Sequence, residues 1–201
     1  MSPVFYLLAG PNGAGKSTLY RSALASGLVP VDIEFVNADL HEARALGHIA
    51  DARQRSTEAR RWADARRAQL LSAGQSFVSE TVFSHPSKIE LLRAARVAGF
   101  QVVLLVVCVD NPRQLPDRVA QRVAQGGHPV PHERILARYP RTLEHLAVAV
   151  PLADLCLLFD TTAARGRDIV PPRLVARLRR GVPTFRDASL PRWAQGLLAP
   201  R

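Results

Sequence analysis

Close to the N-terminus the chain reads Gly10-Pro11-Asn12-Gly13-Ala14-Gly15-Lys16-Ser17-Thr18. The spacing is G-x-x-x-x-G-K-[ST]. Glycines so placed let the backbone turn tightly enough for its N–H groups to converge on phosphate oxygens. Lys16 would reach the terminal phosphates of ATP, and the Ser17 hydroxyl would sit on Mg²⁺. All nine residues are therefore expected around a bound nucleotide. The flanks suit the motif. Before it runs Val4-Phe5-Tyr6-Leu7-Leu8-Ala9, an apolar stretch that reads as a buried strand. After it, 17–26 reads as a helix stopped by Gly27, whose first turn adds N–H groups and a favourable dipole.

The rest of the chain alternates in the same way. Strand-like segments fall at 31–37, 76–79, 101–109 and 155–160. Helical segments fall at 41–72, from Pro86 to Ala98, at 112–125 and at 132–149, the last two separated by the glycine- and proline-rich turn 126–131. Strands alternating with helices imply an α/β domain with right-handed crossovers. The expectation is a P-loop NTPase/kinase fold: a twisted parallel sheet of about five strands flanked by helices. The P-loop domain should span 1–162, with an arginine-rich helical lid at about 112–149. Residues 163–201, rich in proline and arginine, read as a tail packed on the same domain.

Ligands of such sheets bind at the carboxyl ends of the strands. The polar residues there are Asn37 and Asp39 after the second strand, Glu80 and Thr81 after the third, and Asp110 and Asn111 after the fourth. Asp39 is placed either to accept a proton from an attacking hydroxyl or to cap the helix that follows. Glu80 is placed to bind a hydroxyl-bearing substrate or support Mg²⁺, or to sit in water as a strand-end carboxylate. Arg118 and Arg122, four residues apart, share a helix face. Arg138 and Arg141 follow on the next segment, with Pro140 between them. Arginines on a mobile lid can neutralise a transferring phosphoryl group, or form an ordinary basic surface.

Composition narrows the partners. Lys and Arg total 27 against 17 Asp and Glu, giving a net charge of +10. That favours anionic ligands. Six arginines between Arg165 and Arg180 could contact nucleic-acid phosphates, but no interleaved aromatics accompany them. No apolar run is long enough for a membrane span. The first strand begins almost at once, leaving no room for a signal peptide, so the expectation is a cytoplasmic protein. Cys108 and Cys156 lie in strand-like segments and read as core residues. The histidines and cysteines lack metal-ligand spacing.

Taken in order, the phosphate loop, Phe35-Val36-Asn37-Ala38-Asp39, Phe77-Val78-Ser79-Glu80-Thr81, the stretch from Arg118 to Pro131, and Arg138-Tyr139-Pro140-Arg141 resemble the zeta-toxin family of phosphate-loop kinases, in its short, compact branch. The resemblance covers about residues 3–162. It implies Asp39 as catalytic base and Lys16 as the phosphate lysine. Glu80 becomes the substrate glutamate, with Asn37 and Thr81 beside it. Arg122 and Arg138 become the lid arginines that contact ATP, with Arg118 also at the nucleotide. It further implies a small-molecule acceptor, UDP-N-acetylglucosamine in characterised members, and an antitoxin that blocks the nucleotide site. One position departs: the family's threonine two places after the glutamate is Val82 here, which weakens the case for that sugar nucleotide. Two alternatives stand beside this reading. One is a nucleoside or antibiotic phosphotransferase without a toxin role. The other is an ATP-switched nucleic-acid-binding protein.

Overall fold

A computed structural model describes residues 2–127, 129–163 and 170–199. His128 of the expected 126–131 turn, and Arg165 and Arg167 of the tail, lie outside the described residues. Five apolar runs form parallel strands: β1 (Val4–Ala9), β2 (Glu34–Val36), β3 (Phe77–Thr81), β4 (Gln101–Cys108) and β5 (Leu155–Asp160). The helices are α1 (Lys16–Ala25), α2 (Ala38–Ala45), α3 (Ala52–Ser72), α4 (Ser87–Val97), α5 (Leu115–Ala124), α6 (His132–Ala149) and α7 (Arg192–Leu198). Two further strands, β6 (Arg173–Arg179) and β7 (Val182–Arg186), complete one sheet of order β2-β3-β1-β4-β5-β6-β7.

The core sits on the central strands. Val102 through Val109 are all buried, as an apolar run with helices on both faces of a parallel sheet should be. The sheet order reverses at β1, whose neighbours are β3 on one side and β4 on the other. Crossovers leave that point in opposite directions and open a crevice at the strand ends. The register puts Glu80 beside Leu8, and Thr81 and Val106 beside Ala9. The ends of β3 and β4 are thus level with the entrance to the phosphate loop.

Four sequence-based expectations change in detail. The sheet has seven strands rather than about five. The extra pair, β6 and β7, is antiparallel and comes from the stretch read as a tail. On β6, Val175, Ala176 and Leu178 are buried while Arg173, Arg177 and Arg179 are exposed. Outward arginines hid the inward apolar side chains. The second strand is only three residues long. The expected helix at 41–72 is two helices, broken after Ala45 and restarted by Asp51, whose carboxylate accepts from Gln54 N at 2.6 Å. Pro140, set between Arg138 and Arg141 where a proline can distort their alignment, lies inside a helix that continues through it.

Candidate active site

The phosphate loop leaves β1 at Gly10. A Cβ there would lie 2.0 Å from the Val107 carbonyl oxygen, so only glycine lets the loop pass β4. Gly15, at φ 96°, is the N-cap of α1 and offers no side-chain cap. The first-turn N–H groups of α1 therefore face the loop without a protein cap, as anion binding requires. The Thr161 hydroxyl closes the loop from behind by donating to Ala14 O at 2.9 Å.

Lys16 opens α1 and is 8% exposed. Its Nζ donates to Gly10 O at 3.0 Å and Pro11 O at 3.1 Å, and stands 3.8 Å from Glu80 Oε1. Burial pulls the Lys16 pKa down and the Glu80 carboxylate opposes it; Asp39 also favours the charged form. Burial likewise pushes the Glu80 pKa up, against the pull of Lys16. Each charge is costly alone and is retained because the other is near.

Asn37 joins this pair to α2. Its Oδ1 accepts from Leu40 N at 3.1 Å, and its Nδ2 donates to Glu80 Oε2 at 3.2 Å. Asn37 is therefore the cap of α2, which removes the capping alternative for Asp39. Asp39 lies in the first turn of α2, exposed, where the helix dipole favours a carboxylate. It acts electrostatically on both Lys16 and Glu80. The helix is held in place by His41 stacked on Trp62 of α3, with ring centroids 3.8 Å apart.

The arginines divide. Arg122 on α5 acts on both Lys16 and Glu80, and Gly127 folds back so that its N–H donates to Arg122 O at 2.9 Å. Arg138 does not belong to that group of charges. Burial lowers its pKa, and its charged neighbours are Arg134, Arg60 and Arg141. Arg118 donates to Thr161 O at 2.9 Å, Thr161 Oγ1 at 3.2 Å and Gln114 Oε1 at 3.2 Å. It braces the turn beneath the loop.

Thr81 has a defined setting. Its hydroxyl oxygen accepts from Phe83 N at 3.1 Å, which leaves the hydroxyl proton to donate elsewhere. Phe83 is fully buried and holds φ 63°, a conformation uncommon for a residue with a side chain. Helix α6 secures the turn: Thr142 Oγ1 donates to Val82 O at 3.1 Å, and His145 Nδ1 lies 3.2 Å from Phe83 O. The same helix reaches β4 through Tyr139, whose hydroxyl donates to Val109 O at 2.6 Å. Sequence reasoning passed over Tyr139, Thr142, His145 and Thr161. Only Thr161 carried a signal, as a polar residue just past the end of a strand.

The donor set suits a magnesium nucleotide. The loop and α1 supply N–H groups, Lys16 and Arg122 supply cations, and the exposed Ser17 hydroxyl stands in the first turn. Among the described residues no group of three His, Cys, Asp or Glu is placed to hold a metal. Mg²⁺ needs none, because it keeps its waters and binds through substrate phosphates and one or two side chains. Cys108 and Cys156 are buried, and burial pushes the Cys108 thiol up to about 12. Among the described residues no helix is long and apolar enough to cross a membrane.

The sequence model described as "Zeta toxin" matches residues 1–154. The chain belongs to the zeta toxin family. No curated protein sequence matches it at a significant level. Among solved structures, this zeta toxin family member is similar to the AvrRxo1-ORF1:-ORF2 assembly with ATP, at 18% identity and TM-score 0.73. That likeness covers 100% of this chain and 64% of the other, so the chain spans under two thirds of that protein's length. It is also similar to the PezAT toxin–antitoxin system of Streptococcus pneumoniae, at 13% identity and TM-score 0.55, covering 79% and 68%. A putative kinase from Chloroflexus aurantiacus matches at 21% identity and TM-score 0.53, covering 70% and 77%. At these identities the likenesses show the fold alone, and the fold is that of P-loop kinases.

Proposed function

We propose that this zeta toxin family member is an ATP-dependent kinase that phosphorylates a hydroxyl group of a small metabolite. The carrying observation is the linked set Lys16–Glu80–Asn37 at the switch point of the sheet, with Asp39 and Arg122 acting on it. Bound ATP with Mg²⁺ would supply the phosphoryl group and neutralise part of its charge. The backbone N–H groups of Asn12, Gly13 and Gly15 to Thr18 bind the phosphates. Lys16 would move from the loop carbonyls to the terminal phosphates, and the Ser17 hydroxyl would hold Mg²⁺. Glu80 and Asn37 orient the acceptor hydroxyl, and Thr81 donates its proton to a second acceptor atom. Asp39 takes the hydroxyl proton as the acceptor oxygen bonds to the γ-phosphorus and ADP leaves. Arg122 balances the charge that develops. Arg138 joins only after α6 shifts toward the loop, and Arg118 serves the nucleotide by supporting the turn behind it.

UDP-N-acetylglucosamine is the first acceptor to try. Val82 offers no side-chain hydrogen bond where characterised relatives have threonine, so an acceptor with different hydroxyl geometry is the second. A partner that blocks the nucleotide site fits the toxin–antitoxin system named for one of the similar structures. The test is incubation with ATP, Mg²⁺ and either UDP-N-acetylglucosamine or a deproteinised cell extract, with mass analysis for one added phosphate. Product from the sugar nucleotide supports the narrower reading. Product only from another metabolite retires that acceptor and keeps the kinase. ADP formation with no phosphorylated metabolite contradicts both.

A further inference from the structure

The zeta toxin match ends at residue 154, yet the segment beyond it reaches into the site. Strand β5 ends in Asp160, followed by Thr161 and Thr162. Thr161 touches the phosphate loop twice over: its hydroxyl donates to Ala14 O, and its methyl group lies 3.6 Å from where a Cβ on Gly15 would be. Its carbonyl and hydroxyl oxygens hold Arg118. The next residue back, Asp160, is 7% exposed and organises the turn. Thr162 N donates to Asp160 Oδ2 at 3.1 Å and Thr162 Oγ1 to Oδ1 at 2.7 Å. Thr162 Oγ1 in turn accepts from Asp110 N at 3.0 Å, past the end of β4.

A buried carboxylate needs donors for both oxygens. One of them comes from the C-terminal helix. Trp193 on α7 is 4% exposed. Its indole Nε1 donates to Asp160 Oδ1 at 2.9 Å, and its backbone N donates to Asp110 Oδ1 at 3.0 Å. Trp193 therefore ties Asp160, the last residue of β5, to Asp110, just past the end of β4. Thirty-one positions later in sequence than Thr162, it is joined through the 160–162 turn to Thr161, which bonds Ala14 and Arg118.

We propose that Trp193, acting through Asp160 and the 160–162 turn, is a positioning residue for the nucleotide site, so that docking of α7 sets the geometry of the phosphate loop and Arg118. The proposal rests on the nucleotide reading above. Two residues of α7 separate positioning from mere support. Trp193→Phe keeps a large aromatic ring and loses the Nε1–H. Leu197→Ala, at a site 7% exposed on the same helix, loses packing and no hydrogen bond to the strand ends.

The measurement is the dissociation constant of a fluorescent ATP analogue, mant-ATP, with Mg²⁺, beside thermal melting of each variant. Trp193→Phe should weaken mant-ATP by about 5–10-fold, a part of what a hydrogen bond to a charged group supplies. Leu197→Ala should lower the melting temperature at least as much and leave mant-ATP affinity within twofold. Hydrogen exchange without nucleotide should quicken in the 10–18 loop in Trp193→Phe and not in Leu197→Ala. Affinity of Trp193→Phe within twofold of the parent overturns the proposal. So do equal affinity losses in both variants, since these would follow stability alone. No mant-ATP binding by the parent protein overturns the nucleotide reading and this proposal with it.

Discussion

Replacing Asn37 separates two bonds made by one side chain, and the structure gives each a size. The Oδ1 cap on α2 is worth about 1 kcal/mol. The Nδ2 bond to the mostly buried Glu80 carboxylate, a hydrogen bond to a charged group, is worth about 1.5–3 kcal/mol. Asn37→Ala loses both, about 2.5–4 kcal/mol, which at ~2–4 °C per kcal/mol for a domain of this size lowers Tm by roughly 5–15 °C. Asn37→Ser keeps a capping oxygen and should recover ~1 kcal/mol of that loss. Asn37→Asp also keeps the cap but sets a second carboxylate beside Glu80. Burial already holds the Glu80 pKa above its ordinary value. An acid with a raised folded pKa stabilises the fold while protonated and loses that contribution as pH rises through the folded pKa. The new like charge raises it further, so Asn37→Asp should cost more stability at pH 8 than at pH 5. Urea unfolding of the three variants at both pH values is the assay. Equal stability of the Ala and Ser variants, with a pH-independent cost for Asp, would refute the two-bond account.

The lid arginines should differ. Arg122→Ala should lower phosphotransfer by ~10²-fold or more, in the range for lost electrostatic stabilisation, and Arg138→Ala should lower it by less, since Arg138 reaches the site only after α6 shifts; steady-state rates of both variants check this. Tyr139→Phe leaves Val109 O without its 2.6 Å donor and should destabilise by ~1–2 kcal/mol in denaturant unfolding. At the β2 edge, the paired hydrogen bonds from Arg66 at 2.7 Å each lower the Glu34 pKa. Their contribution is present above the ordinary glutamate pKa and lost as pH falls through the folded value. NMR titration should place Glu34 below its ordinary value in the parent and return it there in Arg66→Ala.

Most of the parallel core was legible because its signals are local. Val4 to Ala9 and Val102 to Val109 are apolar runs bounded by glycine or polar residues, and the loop between β1 and α1 has a fixed spacing. The β6–β7 hairpin was hidden because Arg173, Arg177 and Arg179 are exposed along β6 and only Pro183 of β7 is even half-buried, so the pair read as a basic tail. The break between α2 and α3 hung on Gly47 and the Asp51 cap, both weak beside a long alanine- and arginine-rich pattern. In the candidate site, the strand-end rule singled out Asn37, Asp39, Glu80 and Thr81, and the structure brings Asn37, Asp39 and Glu80 together. It could not assign the cap of α2 to Asn37 rather than Asp39, because both precede the helical pattern read from residue 41 and only geometry decides. Thr142, His145 and Trp193 act across 60, 62 and 83 positions of sequence, and no local pattern announces such contacts.

The central claim is that the β1–α1 loop and the ends of β2 and β3 form a phosphotransfer site with Asp39 as its base. Transfer of label from [γ-³²P]ATP into small molecules of a deproteinised cell extract, compared between the parent and Asp39→Asn, tests it most directly. The account predicts label in an organic product with the parent and ~10²-fold slower labelling with Asp39→Asn, at mant-ATP affinity within a few-fold. Equal labelling by the two proteins, or label released only as inorganic phosphate, would contradict it.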